Sequence, residues 1–129
     1  MFAFALWDSK NKKLILARDR FGEKPLYFCQ KGQTLIFGSE LKALLAHPSI
    51  QKELNFNSLA KYFLYEFIPA TQTIFKNIHK LPAAHFLVFH QGKKEIKEYW
   101  NIVEEREKLK NEIAKLNEEQ LLEITDQKL

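Results

Sequence analysis

Apolar and polar positions alternate with a short period over the first forty residues and with a longer one after that. Phe2–Trp7 is a continuous apolar run closed by the turn cluster Asp8-Ser9-Lys10-Asn11. Lys13–Ala17 alternates weakly, Pro25–Cys29 and Thr34–Gly38 read as further strands, and Lys31-Gly32-Gln33 is a short hairpin loop between the last two. Short loops favour antiparallel neighbours, so these four strands are expected to form one meander. Apolar residues on both pleat faces point to a sheet covered on both sides.

From Ser39 the period lengthens. Leu41, Leu44 and Leu45 share one face of a short helix, with Ser39 as its expected cap and Pro48 as its stop. Asn55-Phe56-Asn57-Ser58 opens a second helix, capped by Asn57 and ended by Pro69, whose buried face is Leu59, Tyr62, Phe63 and Phe67. An irregular stretch around Thr73-Ile74-Phe75 and the turn Leu81-Pro82-Ala83-Ala84 follow. His85–Phe89 and Lys94–Trp100 then make a hairpin across Gln91-Gly92-Lys93. Beyond Asn101 the chain has no Gly or Pro. Leu109, Ile113 and Leu116 fit one helical face, but Gln120 and Glu123 break the heptad, so an interrupted helix is expected rather than a coiled coil.

Composition adds bounds. In 129 residues, 46% of them hydrophobic and eleven of them Phe, there is enough apolar material for one α+β domain. The net charge of +4 is uneven: Glu104–Leu129 carries eight acidic and five basic residues, leaving 15 basic and 8 acidic before it. The lysines are scattered through turns without stacking aromatics, which argues for a solvated surface and against a nucleic-acid partner. No apolar run approaches the roughly 18 residues of a membrane span, and a single cysteine, Cys29, favours a reducing compartment, so a cytoplasmic protein is expected.

Candidate chemistry is sparse. Cys29 lies in a strand between aromatics with no local base, which reads as a packed thiol rather than a nucleophile. The spacings of His79, His85 and His90 place no two imidazoles on one helical face, so no metal site is expected. The four glycines form no phosphate-cradling loop. The segment LARDRFGEKPLYF, residues 16–28, sets five charged side chains between apolar runs, and it reads as a turn pinned by Arg18, Asp19 and Lys24, with Gly22 allowing the bend.

The ordered motifs say more. MFAFALWD, RDRFGEKPLY and FGSELKALLAHP, followed by LAKY at 59–62, TIF at 73–75, KLP at 80–82 and YW at 99–100, resemble the second half of the class-II glutamine amidotransferase domain of asparagine synthetases. The resemblance covers about residues 1–101, with 102–129 as a helical linker or tail toward a synthetase domain. It implies a partial αββα sandwich of antiparallel sheets with flanking helices and a C-terminal helical tail. In that family an N-terminal cysteine, with its own α-amine as base, hydrolyses glutamine, and the ammonia amidates aspartate activated by ATP, with Mg2+. The family's nucleophile, glutamine-binding arginine, oxyanion segment and substrate-binding aspartate all precede the first motif, and its pyrophosphate-binding loop follows the last. The chain is therefore expected to be a fragment, whether a truncation, a split-gene product or an incomplete gene model, with no catalytic residue, no metal ligand and no cofactor of its own. Near-site or supporting candidates are Arg18, Asp19, Gly22, Lys24, Ser39, Glu40 and Lys42. Partners implied are the missing amidotransferase half, the synthetase domain, or a second copy. A sandwich lacking strands is expected to be poorly soluble or molten in isolation. Gly38, Glu23 and Ala84 depart from the family pattern. Ala84 replaces a glycine, at a cost of roughly 1 kcal/mol if the turn needs positive φ.

Overall fold

The computed structural model describes residues 1–114, in two units that divide between Tyr99 and Trp100. The first unit is α+β. Four strands, β1 (Ala3–Asp8), β2 (Lys13–Arg18), β6 (His85–His90) and β7 (Lys93–Glu98), form an antiparallel sheet in the order β1-β2-β6-β7. Strands β3 (Tyr27–Lys31), β4 (Thr34–Gly38) and β5 (His79–Lys80) form a second antiparallel sheet in the order β4-β3-β5. Helices α1 (Leu41–Leu45) and α2 (Phe56–Tyr65) lie between β4 and β5 in the chain.

The two sheets meet face to face. Leu16 pairs with Leu87 across β2 and β6, and both point at Phe28 of the second sheet, with Leu26 and Leu81 closing the same cluster. Side chains alternate along a strand, so the other face of β3 carries Cys29 into a second cluster with Leu44 of α1, Ile50 and Ile78. Strand β3 is thus buried on both faces. Gln30 ties the sheets at one end, its amide nitrogen donating to the Gly92 carbonyl at 2.7 Å.

Three sequence expectations change. The four N-terminal strands are not one meander, because β2 and β3 belong to different sheets, and the segment after Arg18 carries the chain from one sheet to the other. The first sheet is not covered on both sides: β1 lies at its edge, with Phe4 48%, Leu6 53% and Trp7 57% exposed. The expected buried face of α2 is open: Tyr62, Phe63 and Phe67 are exposed, Leu59 is half-buried, and Ser58 is the helix's one buried residue.

The caps differ as well. Asn55, not Asn57, caps α2, accepting from the Ser58 amide at 3.3 Å, while Glu66 ends that helix in the left-handed region at φ 61°. Glu40 rather than Ser39 precedes α1 as its cap, with no side-chain capping bond. Strand β3 begins at Tyr27, so Pro25 sits before this central strand, where its missing N–H breaks no ladder.

In the second unit, α3 (Ile102–Ile113) starts from an Asn101 cap that accepts from the Val103 amide at 2.9 Å. Leu109 and Ile113 lie on this helix and are exposed; Leu116, Gln120 and Glu123 lie outside the described residues. Among the described residues no helix is long and apolar enough to cross a membrane.

Candidate functional site

The crossing between the sheets is built around two charged side chains that both bind main chain. Arg18 ends β2, and its guanidinium forks to three carbonyls: Nε to Lys24 at 2.8 Å, Nη1 to Leu81 at 2.6 Å, and Nη2 to Gly22. The planar fork suits this task, since its donors leave in fixed, divergent directions. Leu81 is 63 positions away, so Arg18 fastens the crossing to the segment that follows β5.

Asp19 is buried, 4% exposed, and works in the opposite sense. Its carboxylate accepts from the amides of Lys24 at 3.0 Å, Glu23 and Phe21 at 3.1 Å each, and Phe2 at 3.4 Å. These donors, the Lys24 amide first, outweigh the cost of burial and hold the Asp19 carboxyl well below the usual carboxylate range. The main chain of the same residue completes the junction. Its amide donates to Phe2, and its carbonyl accepts from Gly22 at 3.1 Å and Ala84 at 2.9 Å. Tyr99 closes the ring, its hydroxyl donating to the Arg18 carbonyl at 2.8 Å and its amide to the Ala84 carbonyl. Burial, and then the Asp19 charge, push the Tyr99 phenol up.

Gly22 is required twice over. Its φ is +67°, and a Cβ there would sit 3.0 Å from both the Ala83 Cβ and the Arg18 guanidinium carbon. Lys24 contributes its main chain, while its side chain is exposed. The structure therefore gathers Arg18, Asp19, Gly22 and Lys24 at one junction. Ser39, Glu40 and Lys42 stand apart from it, at the entry to α1; all three are exposed, and Glu40 pairs with Lys42 at 2.7 Å. Sequence reasoning did not place Phe2, Leu81, Ala84 and Tyr99 in the junction, although each falls in or beside a motif that carried the family resemblance.

Ala84 meets the condition attached to it, a turn at positive φ. Its φ is 59°, in the left-handed region, while it is 4% exposed and bonded through both its amide and its carbonyl. Substituting Ala84→Gly is expected to raise unfolding stability by about 1 kcal/mol by removing the Cβ strain. Paired urea titrations check this, and an unchanged or lower midpoint would contradict it.

Cys29 is 1% exposed in the second core cluster, and burial pushes its thiol up, the reverse of an activated nucleophile. His79 is exposed on β5, and partial desolvation of its ring, then the charge of Lys94, lower its pKa. Among the described residues no three His, Cys, Asp or Glu side chains converge where a metal ion could sit. Gly22, Gly32 and Gly92 serve separate turns, and Gly38 ends β4.

Comparison of the sequence with known proteins identifies a family. A profile described as a glutamine amidotransferase domain matches residues 1–100, which include every member of the junction. The chain is 41% identical over 108 residues to asparagine synthetase (glutamine-hydrolyzing) 3 of Bacillus subtilis, covering 82% of this chain and 17% of that protein. It is likewise 41% identical over 102 residues to a putative asparagine synthetase (glutamine-hydrolyzing) 2 of Methanocaldococcus jannaschii, covering 78% and 20%. A fungal relative, amidase chyE of Penicillium rubens, is 33% identical over 102 residues, covering 78% and 15%. The chain thus spans about a fifth or less of the length of these relatives. With the match running over residues 1–100, the chain belongs to the glutamine amidotransferase domain family.

Proposed function

We propose that the chain is the scaffold half of the glutamine amidotransferase domain of a glutamine-dependent asparagine synthetase, and that it contains neither of that enzyme's active sites. The 41% identity to glutamine-hydrolyzing asparagine synthetases over most of the chain carries the reading. In the complete enzyme, glutamine hydrolysis would supply ammonia for ATP- and Mg2+-dependent amidation of aspartate in the cytoplasm. Here the Arg18–Asp19 junction supports that domain by holding the two sheets together. The Arg18 and Asp19 side chains are engaged by main-chain groups of that junction. Ser39, Glu40 and Lys42 are surface residues at the start of α1 in this reading.

A second reading, a non-catalytic module that pairs with its missing half or another protein, is favoured by the exposed apolar residues of β1 and α2. The amidase among the relatives leaves the acceptor open, with aspartate favoured by the closer matches. A glutaminase assay on the purified chain tests the proposal: ammonia is expected to stay at the no-protein blank, and hydrolysis by this chain alone would overturn it.

A further inference from the structure

The fold gathers lysines that the sequence scatters. Lys10, Lys12 and Lys13 lie in or beside the β1–β2 turn, Lys31 beside the β3–β4 turn, and Lys93 and Lys94 beside the β6–β7 turn. All three turns meet at one end of the first unit. Leu14 pairs with Phe89, which places Lys13 beside His90, and His90 pairs with Lys93. The Gln30 side-chain amide donates to the Gly32 carbonyl at 3.0 Å and to the Gly92 carbonyl at 2.7 Å, which brings the β3–β4 turn to the same end. All six lysines are exposed.

The carboxylates among them, Asp8 and Glu95, are engaged elsewhere. Asp8 accepts from the Lys10 and Asn11 amides at 3.0 Å each and from the Asn11 side chain at 2.7 Å. Glu95 pairs with Lys97 at 3.0 Å. Among the described residues, ion pairs fall on Lys42, Lys76, Lys97 and Lys108, and on none of these six lysines.

This end also has a concave shape. Side chains alternate along a strand, so Lys13, His90 and Lys93 form one row across β2, β6 and β7, on the face opposite Leu16 and Leu87. With Val88 and Glu95 in the next row, they line a cleft of about 520 Å3. That volume lies within the roughly 300–1,000 Å3 of small-molecule sites. Lys94 borders the cleft, but its ammonium lies 5.4 Å from the centroid of the Phe28 ring. Lys13 and Lys93 are two strand spacings apart, about 10 Å, with His90 between them.

We propose that this cleft binds a chain of two or three linked phosphates, with Lys13 and Lys93 as its cations and His90 as a hydrogen-bond partner between them. A carboxylate brings one charge, whereas a terminal phosphate brings about −1.5 to −2 at pH 7 and three strong acceptor oxygens. Linked phosphates therefore reach both ends of the row and neutralise lysines of separate turns together. Lysine holds phosphate as a point charge on a flexible stem, so the cleft supplies the positioning and its single sign of charge concentrates the anion. The site does not depend on the enzymatic reading: a chain inert toward glutamine that binds linked phosphates satisfies both.

Isothermal titration calorimetry of the full chain with inorganic tripolyphosphate tests the site. At about 50 mM salt a Kd of about 100 μM or tighter is expected, and no binding at about 1 mM ligand would overturn the proposal. Lys13→Gln/Lys93→Gln is expected to weaken binding by about tenfold or more. Lys52→Gln/Lys108→Gln removes the same charge elsewhere and should change binding by less than about twofold. All four lysines are exposed, so both variants keep the fold. Equal losses in the two would show attraction to net charge alone and overturn the cleft. Binding of hexaglutamate as tight as that of tripolyphosphate would assign the lysines to an acidic protein segment and also overturn it. ATP carries the same phosphate chain on a nucleoside. Equal affinity makes the phosphate chain the whole ligand, tighter binding of ATP extends the ligand to the nucleoside, and both results support the site.

Discussion

Arg18→Ala is expected to lower unfolding stability by about 3–4 kcal/mol, a large part of the whole for a domain of this size. A hydrogen bond from a charged donor contributes roughly 1.5–3 kcal/mol, and three carbonyls lose theirs at once. The total falls short of three full contributions because the Lys24 carbonyl is exposed enough to take water instead. Charge alone cannot substitute: Arg18→Lys places a single ammonium among three carbonyls, two from the crossing and one from the segment after β5, and it should recover less than half of the loss. Urea titrations of the three proteins, fitted with a common slope, give the comparison. Stability within about 1 kcal/mol of wild type for Arg18→Ala would show that the crossing is held by packing alone.

Leu87→Ala is expected to cost about 2–5 kcal/mol, measured in the same way. Leu87 is fully buried on β6, faces Leu16, and sits where the two sheets meet, so removing its methyl groups leaves a cavity bounded by strands that cannot collapse without breaking their ladders. Phe63→Ser is the contrast. Phe63 is 77% exposed on α2 and should change stability by no more than about 0.5 kcal/mol. A large loss at Phe63 would mean that the apolar face of α2 is covered in solution, and a negligible loss at Leu87 would contradict the face-to-face packing of the sheets.

These two sites show what the sequence made legible and what it did not. Alternation located β2, β6 and β7 to within a residue or two, since their apolar and polar positions change with the short period of a strand, and the Lys31-Gly32-Gln33 turn located β4. It could not decide which strands share a sheet. A charged connection of this length between β2 and β3 looks the same whether it turns back or crosses over, and the choice depends on Leu81, far along the chain. The helical period of α2 was correct, yet periodicity says which side is apolar, not what covers it. Asn55 and Asn57 are equally good caps by residue type; only the position of the Ser58 amide separates them. At the junction, Arg18, Asp19, Gly22 and Lys24 were legible as a pinned turn from their chemistry. Their partners were not, because Phe2, Leu81 and Ala84 contribute main-chain groups that carry no residue signature.

Ammonia release from L-glutamine by the purified full chain, with Cys29→Ser assayed beside it, tests most directly whether this domain scaffold carries chemistry of its own. Both proteins are expected to match the no-protein blank, because the chain's one thiol is buried and pushed up by that burial. Hydrolysis above the blank that disappears in folded Cys29→Ser would contradict that expectation and place the nucleophile in β3.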